Sequence, residues 1–425
     1  MRSLDLIAAT LFGVAVVHTL STKVFERLAH RHPRHAGLFH LLGEVEVVFG
    51  FWAAVLVATI AVVAGPALAI EYAESRKYTE PLFVVVVMVI AASRPVLLSI
   101  RAGVGALARR IPVRTEVAEA WLCLAVVPLL GSLVTEPAAM TLAALMLAPL
   151  VFRPAIPEPF KYAALGVLFV NISIGGTLTA FAAPPVLIVA ATWDWDSAFM
   201  ASTFGWKAAV AVLVNATGVV LLMRRHLVAA APAQSGERAE GDEGGRVPIA
   251  VAAIHFAFLA ATILLAEHPT IFIGLFLMFV GFTRAYARHQ DPLLLKEALL
   301  VGFFLAGLVV LGGLQQWWLQ PLLSGLAPLQ LFFGALGLTA IADNAALTYL
   351  GSLIEGMSAE SKYMLVAGAV AGGGLTVIAN APNPAGVALL KRGFADQSIG
   401  AGALFLGALP PTVVAIAAFM LPSTW

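Results

Sequence analysis

Charge is what this sequence lacks most. Only 12% of its 425 residues are Asp, Glu, Lys or Arg, about half the share found in soluble globular domains. Its 25 basic and 24 acidic residues leave a net charge of +1, which excludes a nucleic-acid binder held by overall charge. One cysteine, Cys123, excludes a disulfide framework and a cysteine-ligated zinc site. No HExxH, GxxxxGK[ST] or GxSxG motif is present, so the commonest catalytic signatures are gone as well. What remains is apolar: 60% hydrophobic residues and a mean hydropathy of +0.94. The chain reads as an all-α polytopic membrane protein, because a helix satisfies its own backbone in lipid.

About 20 apolar residues cover the hydrocarbon layer. Stretches at 5–22, 39–64, 82–100, 162–192, 198–223, 248–266, 270–283, 293–313, 363–390 and 398–421 are the ten candidates for crossing helices. The stretch 270–283 is short, but Arg284 and Arg288 follow it as a cytoplasmic stop. Two further stretches, 117–152 and 323–353, hold Thr135-Glu136-Pro137 and Asp343-Asn344 at their centres and are expected to be re-entrant helical hairpins.

Lysine and arginine placement tests this layout, because they collect in short cytoplasmic loops. With residues 23–37 inside, nineteen fall on the inside, four (Arg2, Arg76, Lys77, Lys362) outside, and two (Arg94, Lys207) within spans. Counting either hairpin as a crossing would switch every later loop and erase that asymmetry. Both termini are therefore expected outside, in a bacterial-type inner (plasma) membrane. The first span is kept as part of the mature chain, since no small-residue cleavage site precedes the basic Lys23 to Arg34 segment. The polar stretch 226–247 reads as a flexible cytoplasmic linker between residues 1–225 and 248–425. Each half then has three spans, a hairpin and two spans, in opposite orientations.

The halves share motifs in the same order. Glu136-Pro137-Ala138-Ala139-Met140-Thr141 matches Asp343-Asn344-Ala345-Ala346-Leu347-Thr348. In the next span, Gly175-Gly176-Thr177-Leu178-Thr179 followed by Pro184-Pro185 matches Gly372-Gly373-Gly374-Leu375-Thr376 followed by Asn380-Ala381-Pro382-Asn383. Glycine destabilises a helix interior by roughly 1 kcal/mol and proline by about 3, so each span is expected to unwind here. Unwound backbone at membrane depth needs burial in protein or a wet cavity. Inverted halves with broken helices at the midplane are a design of secondary transporters.

These motifs resemble the broken helix and hairpin tip of the ion transporter superfamily, and within it a sodium/proton antiporter family. The resemblance implies two inverted halves, alternating access, and a homodimer in which the moving unit shifts as an elevator. Divalent-anion symporters of the superfamily carry neutral Ser-Asn-Thr tips, and Glu136 and Asp343 depart from that pattern.

A carboxylate near the bilayer centre is costly unless protonated, paired or holding a cation. A site that alternates between proton and sodium needs little more than buried carboxylates among hard oxygen ligands. Glu136 and Asp343 are the expected proton-exchanging ligands, with Thr135, Thr179, Thr376, Asn344, Asn380 and Asn383 as neutral oxygens and Gly175, Gly176, Thr177, Gly372, Gly373 and Gly374 as freed backbone. Sodium is the expected metal and proton the counter-species; no other cofactor, no transition metal and no nucleic acid is expected, and membrane lipid is the surrounding partner. Simpler roles compete: either acid can cap its helix, and the Gly-Pro breaks can be packing kinks. Lys207 is a candidate to balance a site carboxylate when the ion leaves, against a snorkelling or paired lysine. Glu44 and Glu46, beside the His30 to His40 segment, read as an interfacial helix start or a pH-sensing funnel; Asn171 and Asn215 read as helix bridges. Three rival functions stay open: efflux of an anion such as arsenite or an organic acid, an ion channel, and an intramembrane enzyme.

Overall fold

The computed structural model describes residues 2–229 and 247–422, so nearly all of the expected linker lies outside the described residues. These are all-helical, with no strand among them. The first half runs α1 (Arg2–Thr19), α2 (Val45–Ala64), α3 (Thr79–Ala91), α4 (Arg94–Ala108), α5 (Thr115–Val134), α6 (Glu136–Leu147), α7 (Glu158–Gly175), α8 (Pro184–Trp193) and α9 (Trp206–Ala229). The second runs α10 (Ile249–Leu264), α11 (Pro269–Ala285), α12 (Leu295–Gly312), α13 (Gln316–Leu323), α14 (Pro328–Thr339), α15 (Asn344–Ser352), α16 (Ala359–Gly372), α17 (Asn383–Leu390) and α18 (Ala401–Phe419).

The helices at the ten expected crossings differ in length. Among the described residues six helices are long and apolar enough to cross a bilayer, or seven if α3 and α4 count as one span. That pair, expected as a single helix over 82–100, bends by 61°. Ser93 is extended at the bend as the N-cap of α4, and Pro95 sits in the first turn of α4, where its missing amide hydrogen costs no helical bond, though proline could not continue α3. The expected span at 39–64 starts at Val45, since Glu44 takes extended backbone and ends the short helix Ala36–Gly43.

At the first expected hairpin α5 and α6 turn about Thr135, whose φ of +79° is rare for a β-branched residue. A Cβ on Gly131 would lie 3.3 Å from that of Ala139, so the arms touch beside the tip. Helix α5 has 20 residues and is itself long enough to cross. At the second hairpin α14 and α15 pack across the short link Ala340 to Asp343. Both Gly-Pro spans break as expected: α7 ends at Gly175, one 3-10 turn follows at Gly176–Leu178, and α8 restarts at Pro184. Likewise α16 ends at Gly372 and α17 restarts at Asn383.

The helices gather into two large apolar cores, with a small third cluster of Leu331, Ala335, Leu365 and Ala369 between α14 and α16. One is centred on α5 to α9 with α16 and α18. The other joins α1, α2 and α3 to α10, α11 and α12. The hairpin tips sit on the seam, contributing Val134, Ala138, Ala345 and Ala346 to the second core. Contacts across the seam exchange partners between halves: α6 packs on α17 and α15 on α8.

Close backbone approach holds the second core. A Cβ on Gly307 of α12 would overlap the backbone of Gly50 in α2, a small-residue crossing of the kind membrane helices use. Gly307→Val is expected to cost about 1–3 kcal/mol through overpacking, read as a lower thermal unfolding midpoint in detergent. Gly274→Ala, inside α11 where a Cβ meets nothing within 4 Å, should not lower the midpoint and is expected to raise it slightly.

Candidate ion-binding site

The site grows from the two hairpin tips and the two breaks. Glu136 is the first residue of α6 and has no exposed surface. One carboxyl oxygen accepts a hydrogen bond from Asn380 Nδ2 at 2.9 Å; the other has no hydrogen-bond partner. The helix-capping alternative is not realised for this residue, because Thr135 is the N-cap and α6 has no side-chain cap. Gly176, at the first break, faces the same carboxylate: a Cβ there would stand 2.5 Å from Oε1. Glycine is required for so close an approach.

Asp343 does cap its helix. Its Oδ1 accepts from the amides of Ala345 at 2.8 Å and Ala346 at 3.3 Å, which fixes the carboxyl at the positive end of α15. It retains 8% exposure and lines a small cavity with Glu46 and Asn380. Next to it, the Asn344 amide donates to Ala379 O at 3.1 Å, tying the second tip to the second break. Asn380 thus stands between the carboxylates: it donates to Glu136 and borders the cavity of Asp343.

The neutral residues divide by role. Thr179 Oγ1 donates to Ser132 O at 2.6 Å and Thr376 Oγ1 to Ala340 O at 2.9 Å, so each break is fastened to the first arm of its own hairpin. Asn383 Nδ2 bridges the second break by donating to Gly373 O and Thr376 O. Thr177 Oγ1 donates to Ile174 O at 2.7 Å within the first. Pro184 and Pro185 open α8, and Pro382 is the N-cap of α17. Gly374 lies against the backbone of Val170 and Gly175 against Pro128 O.

Five buried oxygens in this region have no hydrogen-bond partner: Thr135 Oγ1, Glu136 Oε1, Asn344 Oδ1, Asn380 Oδ1 and Asn383 Oδ1. Buried polar groups are otherwise nearly always paired. An oxygen set with one or two carboxylates suits a hard cation, and an unfilled lone pair at such depth is costly without one.

Two serines take part that sequence reasoning passed over. Ser132 Oγ donates to Gly175 O and accepts from the Leu178 amide; Ser173 Oγ donates to Val370 O and lies 3.5 Å from Asn344 Nδ2. The available signal was their position as lone polar residues in apolar runs, four before Glu136 and two before Gly175.

Lys207 is not brought to the carboxylates. It follows a π-helical turn, Ala201–Gly205, and its ammonium donates to Tyr363 Oη at 2.9 Å and Leu421 O at 2.6 Å. Asn215 Nδ2 donates to Asn171 Oδ1 at 2.9 Å, and Asn171 Nδ2 to Leu124 O at 2.8 Å, the helix bridges expected of them.

The Asn380–Glu136 bond joins residues 244 apart. In a double-mutant cycle with Asn380→Ala and Glu136→Gln, measured by unfolding of the purified protein, a coupling of about 1.5–3 kcal/mol is expected for a hydrogen bond to a charged group. Additive effects would mean that the pair contributes nothing.

A sequence profile of the family described as "Putative Na+/H+ antiporter" matches residues 3–422. No match is found among curated proteins. Among solved structures, that of the Alcanivorax borkumensis YdaH transporter superposes with a TM-score of 0.47 at 15% identity, covering 88% of this chain and 96% of that one.

Proposed function

The chain belongs to this sodium/proton antiporter family, a family of multi-pass membrane transporters, and from that premise we propose that it exchanges sodium, or another monovalent cation, for protons at Glu136 and Asp343. The observation that carries this reading is the fully buried Glu136, with one oxygen on Asn380 and the other without a hydrogen-bond partner. A charge so placed is relieved by a proton or by a cation. Because both relieve the same group, binding of one displaces the other, and exchange follows when the site opens to the two sides in turn only while its charge is relieved.

The donor set favours a cation over the anion rival. Helix N-termini are the sites that would hold an anion, but α6 begins with Glu136 and α15 is capped by Asp343. An incoming anion would meet negative charge at both. Side-chain carbonyls of Asn344, Asn380 and Asn383 supply neutral oxygens of the hardness sodium prefers.

In this reading residues 1–225 and 248–425 are inverted repeats joined by a cytoplasmic linker, and both termini lie outside an inner (plasma) membrane. The hairpins and broken helices move together against a scaffold of the first three spans of each half, within a homodimer. The division of most of the apolar interior into two large cores, with the site on their seam, supports such a division of labour.

Proteoliposomes holding a pH-sensitive dye test the proposal. A sodium pulse is expected to drive proton movement that falls to background in Glu136→Gln and in Asp343→Asn. Asn380→Ala should weaken the apparent sodium affinity by about tenfold, some 1.4 kcal/mol. Absence of any response to monovalent cations, with uptake of radiolabelled arsenite, would transfer the assignment to an anion.

A further inference from the structure

Asp343 borders a second space that a small ion does not need. A cavity of about 400 Å³ lies between α1, α2 and α12 on one side and α13, α14 and α15 on the other. Phe12, Phe49 and Phe304 wall it on the scaffold side, and Trp318 and Leu338 are among the apolar residues opposite. Thr19 and Gln330 are the only uncharged polar side chains on its wall, and Asp343 is the only ionisable one, among the described residues. The volume is within the range of about 300–1,000 Å³ typical of organic-ligand sites.

Asp343 lies on the wall of this space. Its Oδ1 is fixed by two amides of α15; the residue retains 8% exposure and borders both this cavity and the small one beside Glu46. An apolar wall with one acid complements a molecule with an apolar body and one positive end. An acyl chain alone would leave the carboxyl unpaired, and an anionic amphiphile would oppose it.

We propose that this cavity binds a lipophilic monovalent cation, a hydrophobic amine in its ammonium form, with its charge on Asp343 and its chain along the α14 face. The inference rests on Asp343 as a cation-binding carboxylate and adds a ligand class to it. Such a ligand competes with sodium for the acid and wedges the hairpin against the scaffold, so it is an inhibitor or an alternative cargo.

Gly334 gives a handle on the cavity. It lies on the wall, and a Cβ there meets nothing within 4 Å, so a side chain can be introduced at this point of the wall without a clash at its first carbon. The probe is n-decylammonium, with n-decanol and decanoate as chain-matched controls, on full-length protein. First, maleimide labelling of Gly334→Cys is expected to slow at least severalfold with decylammonium and not with either control; the slowing should be lost when Asp343→Asn is added. Second, in proteoliposomes decylammonium should inhibit sodium-driven proton movement competitively with sodium, and Gly334→Leu should raise the inhibitory concentration about tenfold while leaving the uninhibited rate unchanged.

Equal protection by decanol would overturn the proposal and mark the cavity as a place for lipid chains. Protection by none of the three probes would overturn it too. Both outcomes leave sodium exchange free to be observed. Conversely, Asp343-dependent protection by decylammonium in a protein without sodium exchange would uphold this ligand and defeat the antiport reading alone.

Discussion

A carboxylate without exposed surface and with one oxygen unpartnered cannot stay as it is. It must hold a proton, or a positive ion must come to it, and the cost of neither is several kcal/mol. Much of the surrounding structure is arranged around that constraint. Gly176 lacks a side chain where one would strike the carboxyl, Asn380 crosses from the other half to donate to it, and Thr135 accepts a left-handed backbone at the turn beside it.

The breaks in α7–α8 and α16–α17 serve the same end. A continuous helix would spend its carbonyls on its own amides, whereas interruption frees them and lets side chains replace the lost bonds. Ser132 and Asn383 bind backbone at the breaks, and Thr179 and Thr376, within the breaks, bind backbone of the hairpin arms. The breaks are thus stapled rather than loose, and the polar atoms left over are mainly acceptors. Swapped pairing of α6 with α17 and α15 with α8 then places oxygens from both halves in one region.

The acids and the breaks were legible in the sequence for a simple reason: a polar or Gly-Pro cluster inside an apolar run has few structural explanations in lipid. Asn380 was legible as a ligand type but not as the partner of Glu136, because a hydrogen bond across 244 residues leaves no local periodicity. The same blindness to tertiary contact left Lys207 open between two roles, because its partners Tyr363 and Leu421 belong to the other half. Hydropathy saw one span at 82–100 where Ser93 and Pro95 impose a bend. A hydropathy window averages over a single proline, while the backbone does not.

Shared occupancy of one acid pair by proton and cation is the claim on which the functional account stands. It is tested most directly by adding sodium to purified protein in a weakly buffered detergent solution and reading the pH. The account predicts proton release that saturates with sodium binding and disappears in the Glu136→Gln, Asp343→Asn double variant. Sodium binding without proton release, or release undiminished in that variant, would contradict it.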